Sequence, residues 1–366
     1  MLEADRPVAT RVALVHEWLV GWGGSESVLE SLAAVFPDAP IYTLVHHPDE
    51  RVRATFKGRD IRTTFLQGLP FGRTFYRHTL PLMPRAWASL DLDDFDLVFS
   101  SSHALCKGVK VRRDALHLCY CHTPPRYLWD LNTSYRRGVA SLLAGPLLRW
   151  LREKDLAGAR GVDRFIANSH YVAERIQRAY GRPAEVIHPP VDVDAFKPSA
   201  VGAYYLAGGR LVSYKRVDLA VAAANAGGFP LKVFGDGPER RRLEALAGST
   251  VEFIGAVGQR RLAELVSGCR AYLFPGIEDF GILPVEVQAG GRPVVARAAG
   301  GAMETVLDGE TGILYQGDSA DALLEAISRL EALQCRPAAC RAQAAKFGRE
   351  RFEAGITAAV RSLQAG

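Results

Sequence analysis

The chain has 366 residues, 48% of them hydrophobic and 23% charged, and its formal net charge is +5. This length predicts two domains with separate cores, and the composition is that of an ordinary soluble globular protein. Its first ten residues are polar with no apolar segment behind them, and no run of eighteen apolar residues occurs. We therefore expect neither an export signal nor a membrane-spanning helix.

Six cysteines are spread along the chain without a C-x-x-C pair. Several of them lie in apolar runs that have the character of buried strands, where a reduced thiol is expected. The cysteine pattern therefore predicts a cytoplasmic protein.

The N-terminal half begins with the pattern of an α/β domain. An apolar strand from Arg11 to His16 is followed by Gly21, Gly23 and Gly24 and then by a helix that opens at Ser25. Strand, glycine loop and helix form the first unit of a doubly wound fold. The glycines allow the backbone to approach a phosphate closely, although such glycines often only shape a turn. The spacing is not G-x-G-x-x-G, so a nicotinamide-dinucleotide site is not indicated.

Strands and helices continue to alternate along the rest of the chain, which predicts two parallel sheets covered by helices on both faces. In the first half, further strands are predicted at 41–45, 97–101, 116–121, 164–167 and 185–187, with helices at 139–156 and 171–180. In the second half, strands are predicted at 204–207, 231–234, 251–254, 271–274, 293–296 and 312–315, with helices after Val217, Pro238, Gln259, Leu283, Ala302 and Ala320 and a helical tail at 336–363.

Three prolines between residues 189 and 198 interrupt this alternation, because proline fixes φ and removes a backbone donor. We therefore predict a first domain over 1–188, a linker over 189–198 and a second domain over 199–345. A C-terminal helical segment over 346–366 completes the chain.

The segment from Arg51 to Arg85 carries a large share of the positive charge. It has eight Lys or Arg residues against one acid, Asp60, and aromatic and leucine residues lie between them. This pattern is typical of a peripheral protein on an anionic bilayer. A solvated basic loop over a small core and a nucleic-acid surface are the alternatives.

The stretch from Gly276 to Glu286 has the pattern of a ligand site. It follows an apolar run and leads into a helix with Pro284 in its first turn, so that Glu278 lies on the loop and Glu286 inside the helix. Free backbone N–H groups at a helix start favour an anion. The arrangement suits a ligand with phosphates in the middle and hydroxyl groups at both ends, such as a nucleotide-sugar.

Five motifs, in this order, make the chain resemble the retaining glycosyltransferases of family 4. They are Gly23-Gly24-Ser25-Glu26, the segment from Pro190 to Phe196, Gly209-Arg210-Leu211 with Lys215, Phe234-Gly235-Asp236-Gly237-Pro238, and the E-x7-E pair Glu278 and Glu286. The resemblance implies the GT-B fold: two doubly wound Rossmann-like domains that face a central cleft, with a C-terminal helix that returns to the N-terminal domain. The stretches 16–19 and 120–130 further resemble bacterial mannosyltransferases of O-antigen and exopolysaccharide assembly.

The resemblance implies a catalytic role for three charged residues of the second domain. Arg210 and Lys215 are expected to stabilise the charge that develops on the departing diphosphate. Glu278 is expected to hold hydroxyl groups of the donor sugar, and Glu286 the ribose of the nucleotide. The alternative for all four is that they are solvated surface charges, and Arg216 is the residue that could be mistaken for Lys215.

Backbone groups are expected to complete the donor site. The resemblance assigns donor binding to Phe280, Gly281 and Ile282 through their N–H groups. Gly23 and Gly24 are assigned to the same ligand. Asp236 and Gly237, with Glu239, are expected to flank the base or ribose, although an ordinary Asp-Gly turn explains them equally well.

His122 ends a predicted strand, and the resemblance implies that it contacts the donor sugar. His103 ends the preceding strand and is the competing candidate. Arg126, Tyr127 and Trp129 are expected to line the acceptor side, where aromatic faces stack on sugar rings. Trp129 could equally be a core residue.

No metal or other cofactor is predicted. Asp-x-Asp strings occur at 91–93, 94–96 and 192–194, which lie before a strand or in the linker. A Mg²⁺ clamp needs carboxylates beside the diphosphate, where Arg210 and Lys215 can neutralise the charge instead.

Together these features predict an enzyme that transfers a hexose, most simply mannose from GDP-mannose, to a lipid-linked oligosaccharide. It would work at the inner face of the cell membrane, in peripheral contact with anionic lipid and without nucleic acid. A family 4 enzyme that uses a UDP-sugar or another GDP-sugar is one alternative. A nucleotide-sugar epimerase and a carbohydrate-binding protein without catalysis are the others.

Overall fold

The computed structural model describes residues 11–70, 72–130, 140–333 and 335–364, except the side chains of 140–144. The chain divides into two compact units. The first comprises Met1–Pro189 with Phe352–Gly366, and the second comprises Pro190–Arg351. Each unit has one parallel sheet, as the alternation of strands and helices predicted.

The described part of the first unit forms a seven-stranded parallel sheet in the order β3-β2-β1-β4-β5-β6-β7. Its strands are β1 Val12–His16, β2 Ile41–Thr43, β3 Ile61–Thr63, β4 Leu97–Ser102, β5 Leu116–Cys121, β6 Arg164–Ala167 and β7 Ala184–Val186. The accompanying helices are α1 Gly24–Val35, α2 Glu50–Thr55, α3 Met83–Ala88, α4 Arg126–Trp129, α5 Ala140–Arg160 and α6 His170–Tyr180. The predicted helix start at 139 and Phe71 of the basic segment lie outside the described residues.

The second unit has a six-stranded parallel sheet in the order β10-β9-β8-β11-β12-β13. Its strands are β8 Tyr205–Gly208, β9 Leu231–Phe234, β10 Val251–Gly255, β11 Tyr272–Phe274, β12 Val294–Arg297 and β13 Gly312–Tyr315. Its helices are α7 Val217–Gly227, α8 Arg240–Leu246, α9 Gln259–Gly268, α10 Ile282–Ala289, α11 Ala302–Thr305, α12 Ala320–Glu331 and α13 Pro337–Ala344.

Both faces of each sheet are buried, which explains why the strands have nearly continuous apolar sequences. In β8, Tyr205 and Ala207 belong to one apolar cluster of the second unit, whereas Leu206 belongs to another. In β1, Leu14 faces one cluster of the first unit and Ala13 faces a different one. Alternate residues of a strand point to opposite faces, so each sheet separates two cores.

The C-terminal tail contains two helices rather than the single helical tail that the sequence predicted. After α13, a short 3₁₀ turn at Ala345–Phe347 leads to Gly348, and α14 then covers Arg349–Gln364. From Phe352 onward α14 belongs to the first unit, where Phe352 and Ile356 pack in the same cluster as Tyr120 and Ile187. The C-terminal helix thus returns to the N-terminal unit.

The basic segment is more structured than its composition indicated. It forms α2, the edge strand β3, two 3₁₀ turns at Phe65–Gly68 and Tyr76–Thr79, and α3. A segment with three-residue strands and six-residue helices has too few residues per element for periodicity to show, so none of these elements was predicted.

None of the described helices combines the length and the apolar character that crossing a bilayer requires. All six cysteines are free thiols, and each is buried except the half-buried Cys335.

The strand order of each sheet contains one switch point, which is the pair of neighbouring strands where the chain changes the direction in which it adds strands. In the first unit the chain runs from β1 outward to β3 and then resumes at β4 on the other side of β1. In the second unit β8 and β11 are the corresponding neighbours. Ligands of doubly wound sheets bind at the carboxyl ends of the strands at this switch point. The loops after β1 and β4, and those after β8 and β11, are therefore the places to look for a site.

Candidate functional site

In the second unit, the loops after β8, β9 and β11 pack closely because glycines remove side chains where the backbones meet. Gly235 has φ +102, and a Cβ there would lie 1.8 Å from the carbonyl oxygen of Gly209. A Cβ on Gly276 would lie 2.6 Å from Cα of Lys215. These close approaches bring the loop that carries Lys215 against the loop that carries Glu278.

Lys215 and Glu278 form an ion pair at the switch point of this sheet. The Lys215 Nζ lies 2.9 Å from the Glu278 Oε1, and the two side chains are only 15% and 22% exposed. Burial opposes the charge on Lys215, but the Glu278 carboxylate outweighs it and raises the pKa of the ammonium. The structure therefore brings together, as a charged pair, two of the three residues of this unit for which a catalytic role was predicted.

Arg210 and Arg216 flank this pair and differ in their surroundings. Arg210 is exposed, and its guanidinium forms no ion pair within the part of the chain that the structure describes. Its charge nevertheless acts on Lys215, since it lowers the pKa of that ammonium. Arg216 instead pairs with Asp218, at 3.1 Å, and with Asp318. Arg210 is thus the exposed cation beside the pair of Lys215 with Glu278, whereas Arg216 is engaged by two other carboxylates.

The loop from Glu278 to Gly281 is held by its backbone. The Gly301 N–H donates to the carbonyl oxygen of Glu278 at 2.9 Å. Phe280 is buried and packs edge-to-face on Phe347, with ring centroids 5.4 Å apart. Gly281 then adopts φ +84 and starts α10. The side chain of Phe280 is therefore an anchor in the core, and the predicted contact of residues 280–282 with a ligand through their N–H groups remains a prediction.

Glu286 lies in the second turn of α10 and is partly buried. Burial raises the pKa of the Tyr272 phenol, and the charges of Glu278 and Glu286 raise it further. Both carboxylates thus act on the same phenol, whose hydroxyl donates to the carbonyl oxygen of Gly208 at 3.1 Å. The two glutamates of the E-x7-E pair therefore share one electrostatic environment beside the end of β8.

Asp236 and Gly237 form a local turn. The Gly237 N–H donates to the Asp236 Oδ1 at 2.7 Å, and Arg240 lies 3.6 Å from the other carboxylate oxygen of Asp236. Glu239 pairs with Arg242 at 2.6 Å. These contacts are what an Asp-Gly turn before a helix requires, and the predicted contact with the nucleotide remains a prediction.

In the first unit, His122 follows β5 and belongs to a chain of hydrogen bonds. Its Nε2 lies 2.8 Å from the Ser101 Oγ, which lies 3.1 Å from the His16 Nδ1. The His16 Nε2 in turn lies 3.4 Å from the Glu26 Oε1. Asn168 donates to the carbonyl oxygen of His122 at 3.0 Å. Burial, with His103 and His16 nearby, holds the pKa of His122 well below its ordinary value, so the ring is neutral.

His103, the competing histidine, has a different role in packing. Its ring meets Trp18 edge-on, with centroids 4.6 Å apart, and its Nδ1 is buried without a hydrogen-bond partner among the described residues. Burial lowers the pKa of His103 as well. The hydrogen-bond chain therefore reaches His122 and not His103.

Gly23 and Gly24 stand at the start of α1. Gly23 is the N-cap in an extended conformation, and no side chain caps the helix. A Cβ on Gly23 would lie 3.1 Å from the Glu26 Oε2, which also accepts from the Ser25 hydroxyl at 3.0 Å. The contacts within this motif position the Glu26 carboxylate, and the predicted contact with the donor is not tested by them.

The predicted acceptor residues lie in and beside α4. The Trp129 Nε1 donates to the buried Asp155 at 2.7 Å, and its ring packs between Arg152 and Tyr180. The Tyr127 hydroxyl is buried with no hydrogen bond to the described residues. Trp129 and Arg126 are both partly exposed, and the predicted contact of these residues with the acceptor remains a prediction.

No group of three or more His, Cys, Asp or Glu side chains in the described ranges is placed to hold a metal ion. Asp96 pairs with Arg112 at 3.0 Å, and Asp94 pairs with Arg11 at 3.6 Å. Both carboxylates of the 94–96 string are therefore engaged with arginines.

His16, Ser101 and Glu26 were given no role by the sequence. The sequence feature that could have indicated a role for His16 and Ser101 is their position at the ends of two predicted strands. In the structure these two residues lie opposite each other in the β1–β4 register. Glu17 is a further buried carboxylate, whose Oε1 accepts from the N–H groups of Ala104 and Cys106 at 2.8 and 3.0 Å. It fixes the turn after β4, on which His103 lies.

Comparisons with known proteins agree with this architecture. Residues 22–195 match the model described as Glycosyltransferase Family 4, and residues 200–347 match the model described as Glycosyl transferases group 1. Each unit thus matches a glycosyltransferase model along most of its length.

Among curated proteins, the chain is similar to D-inositol 3-phosphate glycosyltransferases. It is 31% identical over 256 residues to the protein of Streptomyces griseus, which covers 56% of this chain and 54% of that protein. It is 32% identical over 219 residues to the protein of Mycobacterium bovis, covering 52% of this chain and 45% of the relative. The chain spans about half the length of the curated relatives it matches.

Solved structures show the same fold over nearly the whole chain. HepE from Anabaena, crystallised with UDP and glucose, has a TM-score of 0.73 at 18% identity, covering 96% of this chain and 100% of HepE. Sucrose-phosphate synthase from Thermosynechococcus elongatus has a TM-score of 0.71 at 21% identity, covering 97% and 98%. The two Rossmann-like units are those of the GT-B fold.

Proposed function

We propose that this protein is a retaining glycosyltransferase. The GT-B fold and the family models that match each half of the chain support glycosyltransferase family 4 as its family. It transfers a hexose from a nucleotide-sugar to a hydroxyl group of an acceptor. The acceptor that we propose is a lipid-linked oligosaccharide, as in the assembly of bacterial O-antigen or exopolysaccharide.

The ion pair of Lys215 with Glu278 is the observation that carries the proposal. It lies at the carboxyl ends of β8 and β11, and the guanidinium of Arg210 stands beside it. Breaking the sugar–phosphate bond leaves new negative charge on the diphosphate, and two cations at that place stabilise the transition state. Glu278 is then free to exchange the ammonium for a hydroxyl group of the donor sugar.

The remaining residues complete the donor site in this proposal. Glu286 accepts hydrogen bonds from the ribose, and the backbone N–H groups of 280–282 contact the sugar or the diphosphate. His122 contacts the donor sugar. Retention follows if the acceptor hydroxyl attacks from the face that the diphosphate leaves, with the leaving group taking the proton. This path needs no carboxylate as a covalent nucleophile.

For the donor we propose GDP-mannose, because the segments 16–19 and 120–130 resemble those of mannosyltransferases. A UDP-sugar is the second candidate, since HepE was crystallised with UDP-glucose. A thermal-shift panel of GDP-, UDP- and ADP-sugars decides between them, because a ligand that binds the folded state raises its apparent stability. The largest shift with GDP-mannose would support our choice of donor. The largest shift with a UDP-sugar would make a UDP-sugar the donor, and the proposal of sugar transfer would be unaffected.

Release of nucleoside diphosphate from the preferred donor tests the reaction itself. We expect release that depends on acceptor and that falls about 10²- to 10³-fold in Lys215→Ala. Lys232→Ala is the matched control, because Lys232 also pairs with a carboxylate of the second unit, Glu252 at 3.4 Å, but on β9 and β10. Donor binding without any release would favour a carbohydrate-binding protein, and a change of the sugar without release would favour an epimerase.

We further propose that the first unit contacts an anionic bilayer through its basic segment. Four large apolar side chains are exposed there, Phe65 by 48%, Phe75 by 53%, and Leu69 and Leu82 by 37% each. Arg73, Arg77 and Arg85 are also exposed in this segment. Apolar side chains that enter the interface and arginines that meet lipid phosphates together give peripheral binding.

A cavity of about 490 Å³ beside α3 extends this basic surface. Arg85, Lys110 and Lys154 line it together with Trp150. The side chains of Lys110 and Lys154 are exposed, so a lipid phosphate could reach them from solvent.

Sedimentation with vesicles tests the membrane contact. We expect binding to vesicles that contain phosphatidylglycerol, weaker binding at high salt, and none to pure phosphatidylcholine. Replacing Phe65 and Phe75 by serine should abolish binding. Leu246→Ser is the control, because Leu246 is a large apolar residue of the second unit that is 49% exposed. Equal loss of binding in the control would contradict the assignment of this surface.

A further inference from the structure

Two of the six cysteines lie side by side at the start of α13. The helix has Arg336 as its N-cap and Pro337 as its first residue, so Cys335 is the residue before the cap and Cys340 is the fourth residue of the helix. Side chains at these two positions commonly pack on each other at a helix start. Here both are thiols, and their Sγ atoms lie 3.5 Å apart. The start of the helix therefore places one thiol against the other.

The two thiols differ in their access to solvent. Cys340 is 0% exposed, whereas Cys335 is partly exposed. The Cys335 Sγ lies 3.2 Å from the carbonyl oxygen of Glu310, and the Cys340 Sγ lies 3.9 Å from that of Thr311. Both thiols thus pack against the segment before β13, and a reagent from solvent meets Cys335 first.

The contact between the thiols also makes them unequal acids. The hydrogen bond from Cys340 lowers the pKa of the Cys335 thiol, although burial opposes this change. The same hydrogen bond, together with burial, raises the pKa of the Cys340 thiol. The accessible sulfur is therefore the one that ionises first, and the thiolate is the form of cysteine that reacts.

A disulfide between these thiols requires only a small movement. The two sulfur atoms of a disulfide are about 2.05 Å apart, so the present separation of 3.5 Å must shorten by about 1.5 Å. Cys335 lies before the helix and is partly exposed, so its side chain can rotate toward Cys340 while α13 stays intact. The geometry at the start of α13 is therefore compatible with a bond between the two sulfurs.

We propose that Cys335 and Cys340 are a redox-active pair that a hydroperoxide oxidises to a disulfide. Cys335 is the attacking thiol, and Cys340 is the thiol that resolves the first product. Neither the nucleotide-sugar nor any residue of the donor site takes part. The pair is thus a feature beyond the proposed function, and its failure would leave that function standing.

The oxidation proceeds in two balanced steps. The Cys335 thiolate attacks one oxygen of hydrogen peroxide, and the O–O bond breaks to give a sulfenic acid and hydroxide, which the proton lost by Cys335 converts into water. The Cys340 sulfur then attacks the Cys335 sulfur. The S–S bond forms as the S–O bond breaks, and the Cys340 proton leaves with the hydroxide as a second water. Two thiols are oxidised, and one peroxide is reduced.

The second thiol makes the oxidation reversible. A sulfenic acid that stays in contact with peroxide proceeds to sulfinic acid, which thiols do not reduce. Attack by Cys340 stops the oxidation at the disulfide, and exchange with a small thiol restores both cysteines. The buried thiol thus protects the accessible one from irreversible oxidation.

Peptide mapping after peroxide treatment tests the inference. The folded protein is exposed to hydrogen peroxide, and the remaining thiols are blocked before unfolding. Trypsin then releases 330–341 as one peptide that contains both cysteines, because trypsin does not cleave the bond between Arg336 and Pro337. We expect this peptide to lose two hydrogen atoms, and we expect dithiothreitol to restore them.

Two variants separate the roles of the thiols, and circular dichroism verifies that each is folded. In Cys340→Ala, Cys335 should gain oxygen atoms instead of forming a disulfide. In Cys335→Ser, which changes a partly exposed residue before the helix, Cys340 should stay reduced. Oxidation of Cys340 in Cys335→Ser, or a peptide of the unmodified protein in which both cysteines stay reduced, would overturn the inference.

Cys269 is the matched control within the same protein. It is a buried cysteine of the second unit, and its Sγ lies 3.1 Å from the carbonyl oxygen of Val266. Burial raises the pKa of this thiol to about 12. We expect Cys269 to react at least about 10-fold more slowly than the pair. Equal rates at Cys269 and at the pair would show that the arrangement at the start of α13 confers no reactivity.

Discussion

Replacing Lys215 by methionine removes one partner of a largely buried ion pair and leaves the other in place. The Nζ–Oε1 distance is 2.9 Å, and the Lys215 and Glu278 side chains are 15% and 22% exposed. Methionine fills the space of the lysine stem, so packing changes little. The variant therefore isolates the cost of leaving the Glu278 carboxylate without its cation.

The exposure of the pair sets the size of the effect. A solvent-exposed pair contributes about 0–1 kcal/mol, whereas breaking a fully buried pair costs about 3–5 kcal/mol. With both side chains mostly buried, we expect Lys215→Met to lower the free energy of unfolding by about 2 kcal/mol. In a unit of this size that corresponds to a decrease in Tm of about 4–8 °C. Adding Glu278→Gln should regain about 1 kcal/mol, because the unpaired charge is then removed.

The pair also predicts a pH dependence. The Lys215 pKa is raised above its ordinary value of 10.5, burial being outweighed by Glu278. The stabilisation is thus fully present below 10.5 and is lost as the pH rises through the raised pKa. Lys215→Met should lack this loss at alkaline pH.

Urea unfolding at neutral pH of the parent, the two single variants and the double variant measures the coupling. Lys232→Met is the control, because its pair with Glu252 is 3.4 Å long and the carboxylate is 62% exposed. We expect a loss of about 0.5 kcal/mol or less there. Zero coupling between Lys215 and Glu278, or equal losses in Lys215→Met and Lys232→Met, would refute the reasoning.

Three further predictions concern stability. Burial lowers the pKa of His117 to about 4. Between about pH 6.5 and 4 the unfolded chain therefore binds a proton on this histidine that the folded chain does not bind. Stability should therefore fall by about 3 kcal/mol between pH 6.5 and 4, and an acid series of urea unfolding curves should be flatter for His117→Gln; equal slopes would contradict this. Gly235→Ala should lower the free energy of unfolding by about 3–5 kcal/mol, because the new Cβ would lie 1.8 Å from the Gly209 carbonyl oxygen. Gly228→Ala, where φ is +65 and no atom lies near the new Cβ, should lower it by about 1 kcal/mol. Similar losses in the two variants would contradict this prediction. Asp155→Ala removes the carboxylate that Lys107, Trp129 and Tyr180 share, and it should lower the free energy of unfolding by about 3–5 kcal/mol. Asp114→Ala, which breaks an exposed pair, should change it by no more than about 0.5 kcal/mol. A small effect at Asp155 would show that the buried Lys107 ammonium has another partner.

Most of the fold could be predicted from the sequence because buried parallel strands leave an unmistakable apolar run. All six predicted strands of the second half begin and end within one residue of the observed ones, and β9 and β13 match at both ends. The strand β3 was missed, since Ile61–Thr63 contains only three residues and an exposed arginine. The tail was predicted as one helical segment because nothing in its apolar spacing marks Gly348 as the break between α13 and α14.

The site was predictable only in part. The Lys215 and Glu278 loops follow neighbouring strands, so topology brings them together once the sheet is known. The hydrogen-bond chain from Glu26 through His16 and Ser101 to His122 was not predicted, because its members are up to 106 positions apart and His16 meets Ser101 only through the β1–β4 register. The roles of Arg210, Glu286, Asp236 and the glycines in donor binding stay predictions, since a motif does not show what a side chain contacts.

The central claim is that Arg210 and Lys215 hold the donor by its diphosphate, and competition between nucleotides tests it most directly. The measurement is the ratio of Kd values for the nucleoside monophosphate and diphosphate of the preferred base, by calorimetry, in the unmodified protein and in Arg210→Met/Lys215→Met. We predict a ratio of about 10–100 in the unmodified protein, the size expected of charge-assisted hydrogen bonds, and a ratio near one in the variant. An unchanged ratio in a variant that still folds would contradict the account.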